Sequence, residues 1–404
     1  MDLDFTDDQS ALRDTLRTFF EKESSTAAVR AAEPLGFDAA LWRKVVDLGL
    51  AAIAVPEHLG GGGAGFVELA IAAECLGQSL APVPLIEAAV TNDLIASLSD
   101  GGSSLPGEGS SSAAAGPSSS GEPDTRLESL TARAVSGELL ATLALRPATG
   151  DLARLVPAGA VADLVAVLRG DELLLLRQPD RGPAAPGGAV HNLGALPLAD
   201  CPIDTEHALV LARGPAAVRA YRRALSRWEL LTGAALFGLG SKALDIGVDY
   251  VMQRKAFGVL IGTFQTIQHR LADNAIALDG ARLLAYEAAW AQDENLPTAD
   301  TSATMAFLFA AETAYKTASE VLHFHGGYGY TLEYDIQLYF RRAKAWSLVA
   351  GDSRAAYARL AHRVFGTAPA HAQAPAQGQA PAQGQAPAQG QAPALALAPA
   401  ERAG

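Results

Sequence analysis

The chain has only two cysteines, Cys75 and Cys201, in 404 residues. Two thiols cannot make a disulfide framework, and their spacing suits no metal site. A reducing compartment is therefore expected. Basic residues are also scarce, with 31 Lys and Arg against 44 Asp and Glu for a formal net charge of -13. Neutralising a phosphate backbone takes a concentrated basic surface, so no nucleic-acid partner is expected and a DNA-associated role is disfavoured. No apolar run approaches the roughly 20 residues that a membrane span requires, and no membrane insertion is expected. The opening "MDLDFTDDQSALRDTLRTFF" is acidic and amphipathic, whereas a secretory leader is basic and then apolar. A cytoplasmic location follows as the expectation.

What the chain does have is apolar residues, 49% of the total, and length enough for two or three domains around a large core. Thr6 and Gln9 have the spacing of a capping box, and Leu12, Leu16 and Phe19/Phe20 repeat behind them at helical intervals. Further helices fit Asp38 to Leu48 and Phe66 to Leu76. Between them, "AVPEHLGGGGAGF" lacks the Lys-Ser/Thr of a P-loop and the strand–helix unit of a dinucleotide fold, so it reads as a turn.

Composition then divides the chain into a helical region at 1–99 and a flexible linker at 100–124, "GGSSLPGEGSSSAAAGPSSSGEPD" with Asp100 before it. From 125 to 214, short apolar runs such as "ADLVAVLRGDELLLLRQ" are punctuated by Gly, Pro and Asp, the pattern of a small β-domain. From 215 to 366 four long segments carry apolar residues at three- and four-residue steps: Ala216 to Met252, Thr263 to Asp293, Ala299 to His323 and Ile336 to Phe365. These predict an antiparallel four-helix bundle. Residues 367–404 repeat APAQGQ and read as a disordered tail. The fold class is thus mainly α with a small, reduced middle β-domain.

Some residues in the bundle suit a ligand on chemical grounds. Arg254 stands at the end of a helix, where its guanidinium either meets a pyrophosphate through two parallel hydrogen bonds or caps the helix C-terminus. Gln265, at the start of the next helix, can bond a nucleotide edge. Gly326 and Gly327 either let backbone approach a ligand or form a turn. His323 and His325 make a His-x-His pair, too little for a metal site. Arg341 or Arg342 is expected in structural ion pairs.

Three stretches carry a family resemblance: "LWRKVVDLGLAAIAVPEHLGG" (41–61), "RKAFGVLIGTFQTIQHRLAD" (254–273) and "HGGYGYTLEYDIQLYFRRAK" (325–344). In these motifs and in its domain order the chain resembles the acyl-CoA dehydrogenases, in particular the partner-type subunit of heteromeric members. The resemblance implies α,β-desaturation of an acyl thioester held by coenzyme A or a carrier protein, with FAD as cofactor and an electron-transfer flavoprotein-like acceptor. It also implies a homo- or hetero-tetramer in which Arg254, Phe257, Gln265, His323, Gly326 and Gly327 contact a flavin held mainly by a neighbouring subunit. His323 stands where the family usually has Gln.

Against the family pattern, the usual base position falls on Ala350, in "LVAGDS", and Ala cannot take a proton. A second family position for the base falls near Trp228, beside Glu229, which makes Glu229 the candidate base. Asp352 is a candidate to bond a flavin hydroxyl, to cap a helix or to serve as base. Glu333 is expected to open the last helix. Of the hydroxyl expected against the flavin ring, "LALRPATGD" offers only Thr149, and no Trp occurs between Trp42 and Trp228. The alternative reading is a non-catalytic scaffold that keeps the fold and binds a partner chain.

Overall fold

The computed structural model describes residues 4–33, 35–100, 125–178 and 188–366. The expected tail and all but the first residue of the expected linker lie outside the described residues.

Helix α1 (Asp7–Glu23) begins with the anticipated capping box: the Thr6 hydroxyl accepts from the Gln9 amide, and the Gln9 side chain accepts from the Thr6 amide. Two short helices follow, α2 (Thr26–Ala32) and α3 (Ala39–Asp47), the latter capped by Asp38, whose carboxylate accepts from the Ala40 and Leu41 amides. The glycine-rich stretch is a turn. Its amides at Gly61, Gly62, Gly63 and Ala64 are spent on the carbonyls of Pro56, Ala52, Val55 and Ile53, which leaves no phosphate cradle.

Helix α4 (Phe66–Ser79) and helix α5 (Leu85–Ser99) run through the core. Helix α5 is buried on nearly every side, and its buried polar residues have partners: Asn92 donates to the Ala51 and Ala134 carbonyls, and Asp93 pairs with Arg227. A further helix, α6 (Thr125–Val135), packs on α5. The span from 125 to 135, expected as the start of the β-domain, is therefore helical; its amphipathic face covers Leu130, Ala134 and Val135.

Six strands then make two small sheets. Strands β1 (Ala141–Leu143), β3 (Leu164–Arg169), β4 (Glu172–Arg177) and β6 (Leu209–Arg213) pair in the order β1-β3-β4-β6. The tight β3–β4 hairpin pairs Arg169 with Glu172 next to its turn. Strands β2 (Leu152–Val156) and β5 (Ala199–Pro202) pair antiparallel beside them, with a register shift between Ala153 and Val156.

The bundle comprises α7 (Gly214–Val251), α8 (Gln265–Asp293), α9 (Ala299–Phe324), α10 (Ile336–Leu348) and α11 (Ser353–Phe365). A two-residue hairpin, β7 (Lys255–Ala256) with β8 (Val259–Leu260), joins α7 to α8. The fourth segment, expected as one helix from Ile336 to Phe365, is two. Gly351 adopts φ +120°, and Asp352 restarts the chain by accepting from the Arg354 amide at 3.0 Å. Helix α7 is long and apolar enough to cross a membrane by composition, but 67% of its apolar window is buried inside the fold. Core packing accounts for that composition.

One contiguous core joins the first helices, the sheets and the bundle. The tightest junction lies between α4 and α7, where two glycines let the backbones touch. A Cβ on Gly77 would stand 1.9 Å from the Ala235 carbonyl oxygen, and one on Gly238 would stand 2.2 Å from that of Glu74. In a free helix Gly→Ala stabilises by about 1 kcal/mol. Here Gly77→Ala is expected to destabilise the chain by about 1–3 kcal/mol through overpacking. Urea unfolding checks the sign, and a gain in stability would show that the two backbones are not in contact.

Candidate functional site

The expected nucleotide-contacting residues come together at one end of the bundle. The C-terminus of α7 and the C-terminus of α9 lie side by side there, with Gly247 against Val321 and the Tyr250 ring stacked on His325 at 3.8 Å. Arg254 follows α7 and holds the β7–β8 hairpin through its carbonyl, which accepts from Ile261 at 2.8 Å. Its guanidinium has no carboxylate or carbonyl partner among the described residues, and the residue is exposed.

Phe257, at the hairpin tip, is 97% exposed and adopts φ +54°. A ring presented so openly, in a conformation uncommon for a side-chain-bearing residue, meets only Phe264 edge-on among the described aromatic rings, with the centroids 6.5 Å apart. Gln265 begins α8 and is exposed, as is His323 near the end of α9. Gly326, at φ +63°, and Gly327 open the turn before α10, with no atom within 4 Å of where a Cβ would stand on either. His325 is buried, and its Nδ1 bonds the Val321 carbonyl at 2.8 Å. The His-x-His pair is thus split between surface and core, and among the described residues no cluster of metal-ligating side chains occurs.

A groove of about 370 Å³ runs between the β-domain and α10, and Tyr330, at the end of the turn that Gly326 and Gly327 open, is part of its wall. Arg146, Leu155 and Leu198 form its sheet wall; Phe340, Lys344 and Leu348 form its helical wall. Arg146 reaches across to the Val349 carbonyl at 3.2 Å and so ties the β-domain to the α10–α11 junction. Among the described residues no carboxylate lines this groove. Thr149 sits exposed in the turn after β1 and is not part of the wall.

Deeper in, a cavity of about 40 Å³ shares Leu196 and Val349 with the groove and is walled by Glu87, Trp228, Thr232, Arg342 and Trp346 among others. Backbone strain gathers around these two spaces. Leu80, Leu155, Ala158 and Ala195, each at φ between +47° and +55°, lie in or next to their walls.

The carboxylates fall as follows. Ala350 lies at the α10–α11 junction, partly buried against the core. Glu229 is 7% exposed and its two oxygens are engaged: Thr304 donates to one at 2.5 Å, and Arg359 of α11 pairs with the other at 3.0 Å. Arg363 donates to the same Thr304 hydroxyl at 2.8 Å. This cluster pins α11 to α7 and α9, and Glu229 lines neither the groove nor the cavity. One helical position is about 100° of rotation, which is why Trp228 reaches the cavity and Glu229 does not. Asp352 is exposed and serves as the α11 cap. Glu333 lies in the exposed turn before α10, with a hydrogen bond from Thr331 holding its carboxyl below the ordinary range. Asp335, ion-paired with Arg30 at 2.7 Å, is the acid that directly precedes the helix. Of the paired arginines, Arg341 bridges to Glu33 and to the Leu193 carbonyl, while Arg342 makes no ion pair among the described residues.

The carboxylate inside the cavity is Glu87, which sequence reasoning passed over. An acid in the first turn of a helix ordinarily faces solvent and offsets the helix dipole, so "PVPLIE" reads as a helix start. Because α5 is enclosed, Glu87 points inward instead. The Trp228 indole donates to it at 3.3 Å, and burial pushes its carboxyl above the ordinary value of 4.5.

Residues 6–104 match the family of acyl-CoA dehydrogenase N-terminal domains, and residues 218–385 match the acyl-CoA dehydrogenase C-terminal domain family. The chain is 30% identical over 363 residues to the acyl-CoA dehydrogenase IpdE2 of Mycolicibacterium smegmatis, covering 89% of this chain and all of that relative. It superposes on the ChsE4-ChsE5 complex from Mycobacterium tuberculosis with a TM-score of 0.73 and 26% identity, over 91% of this chain and 100% of that one. It superposes on the Tcur3481-Tcur3483 steroid ACAD with a TM-score of 0.71 and 26% identity, over 88% and 97% of the two chains.

The buried Glu87 carboxyl sets a pH dependence. The folded chain keeps its proton where the unfolded chain has released it, so this contribution to stability is present below pH 4.5 and is lost as pH rises through the raised folded-state value. Glu87→Gln removes it. Denaturant unfolding from acid to neutral pH should show the wild-type chain losing ground to the variant by up to about 1.4 kcal/mol per pH unit within that window. Parallel curves would mean that Glu87 titrates as an exposed acid.

Proposed function

Since the chain belongs to the acyl-CoA dehydrogenase family, we propose that it is one subunit of an FAD-dependent acyl-CoA dehydrogenase whose proton-abstracting carboxylate comes from a partner chain. The observation that carries this reading is a division within the fold. The residues expected to contact nucleotide are exposed at one end of the bundle, whereas Ala350 stands where the family base is expected and, among the described residues, no carboxylate lines the groove beside it.

The residues at the bundle end fit FAD chemically. Arg254 offers an unpaired guanidinium to a pyrophosphate, Gly326 and Gly327 leave backbone open to close approach, and Gln265 and His323 add polar groups. When bound, FAD accepts the hydride released from the β-carbon of the acyl group. This chain's own part is to hold the nucleotide from across the subunit boundary, with Phe257 covering it, and to keep water from the apolar groove.

On the groove side, among the described residues, Thr149, the hydroxyl expected against the flavin ring, is not part of the wall. The sheet wall presents Arg146, Leu155 and Leu198. This supports a heteromer in which the ring-facing contacts and the base come together from the other chain. The substrate is an acyl thioester of coenzyme A or a carrier protein, and reducing equivalents pass to an electron-transfer flavoprotein-like acceptor. The buried thiols of Cys75 and Cys201, which are not in a disulfide, suit a reducing, cytoplasmic setting. A homo-oligomer using Glu229 as base is less well supported, because Arg359 and Thr304 already engage both of its oxygens.

Two variants test this reading in the assembled complex. Arg254→Ala should lower retained flavin by at least about tenfold in affinity, the scale of one charge-assisted contact; unchanged retention favours the scaffold alternative. Glu229→Gln should leave flavin reduction by an acyl thioester within about tenfold of wild type, whereas removal of a true base costs about two to four powers of ten. A loss on that scale with flavin retained would make Glu229 the base.

A further inference from the structure

The inner cavity contains polar groups that the proposed role of the bundle end does not use. Arg342 is only 6% exposed and lines the cavity. Among the described residues nothing accepts a hydrogen bond from it; its one close aromatic neighbour is the Trp346 ring, with the guanidinium carbon 5.5 Å from the centroid. The nearest acid acting on it, Glu33, is already bridged to Arg341. Burial lowers Arg342 to about 10, so it stays charged at neutral pH. A buried cation with no counter-charge is costly, and its guanidinium fork is shaped for a carboxylate or phosphate.

Two further groups look onto the same space. Thr232, one helical turn beyond Trp228 on α7, is buried and its hydroxyl has no partner among the described residues. Glu87 is held by the Trp228 indole through one oxygen, and burial pushes its carboxyl above the ordinary value of 4.5. Prolines and aliphatic side chains make up most of the remaining wall. One guanidinium with one hydroxyl beside it matches a single negative charge on a small planar group. A phosphate dianion would leave one charge uncompensated and would press against Glu87.

We infer that this cavity is a carboxylate-recognition site, with Arg342 as its cationic anchor and the Thr232 hydroxyl as its second donor. The inference rests on the proposed function for the route of entry. Leu196 and Val349 line both the groove and the cavity, and the route inferred for the acyl chain of a thioester lying in the groove takes its far end between those two side chains. The favoured substrate class is therefore the monothioester of a dicarboxylic acid. A free short-chain carboxylate would use the same chemistry.

The test uses the full-length chain, co-purified with any partner, in titration calorimetry and thermal unfolding. Glutaryl-, adipoyl- and suberoyl-CoA are each compared with the neutral thioester of the same length, and free adipate is titrated separately. At least one acidic thioester should bind about tenfold more tightly than its neutral counterpart, and that preference should fall to about twofold or less in Arg342→Met and recover in part in Arg342→Lys. Stabilisation by adipate alone, lost in Arg342→Met and with no preference among thioesters, would keep the carboxylate site and assign it to a free acid. Equal binding of acidic and neutral thioesters, together with no response to adipate, overturns the inference on wild-type protein alone. Without ligand, Arg342→Met should unfold at a higher temperature than wild type, because it removes an unpaired buried charge; a lower midpoint counts against the site. Flavin retention reports on the proposed function independently, so the two readings fail separately.

Discussion

The backbone contact between α4 and α7 is the constraint on which the rest of the architecture depends. Gly77 and Gly238 each sit where a single added carbon would strike the carbonyl of the other helix. That approach locks the first helices onto the longest helix of the bundle. It also sets the position of the Leu80–Pro84 connection and the first turn of α5, which close the inner cavity against Trp228 and Thr232 of α7. The strained backbone at Leu80, Leu155, Ala158 and Ala195 lies where three separately folded pieces must fit around one small space.

The polar chemistry of the molecule falls into two groups. In one, Arg254, Phe257, Gln265, His323 and the Gly326–Gly327 turn are exposed and make few contacts with their own chain. In the other, side chains of this chain wall the groove and the cavity; among the described residues no carboxylate lines the groove, and Glu87 lines the cavity. Glu229 stands apart from both spaces: Thr304 and Arg359 each donate to one of its oxygens, and the carboxylate fastens α11 to the bundle.

Much of the fold was legible in local chemistry. Thr6 and Gln9 announce a helix start because both partners of the capping box are in the sequence, and the β3 and β4 runs announce strands because short apolar stretches flank a tight turn. What escaped reading depended on tertiary context. The break between α10 and α11 rests on one glycine at φ +120° and one capping aspartate, too weak a signal inside a segment with continuous helical periodicity. Helix α6 was hidden behind the low-complexity stretch before it. Arg341 and Arg342 are indistinguishable as letters, yet one bridges to Glu33 and the other lies buried with no acceptor, because adjacent helix positions face different surroundings. Glu87 was missed for the related reason that a first-turn acid is ordinarily solvated.

The central claim is that this chain belongs to the acyl-CoA dehydrogenases but does not by itself hold a complete oxidising site. Anaerobic spectroscopy of the chain purified alone and supplied with FAD, before and after addition of a series of acyl-CoA thioesters, tests it most directly. The account predicts no thioester-dependent bleaching of flavin by the lone chain and bleaching once a base-bearing partner chain is present. Stoichiometric FAD bound by the lone chain and bleached by an acyl-CoA would contradict it.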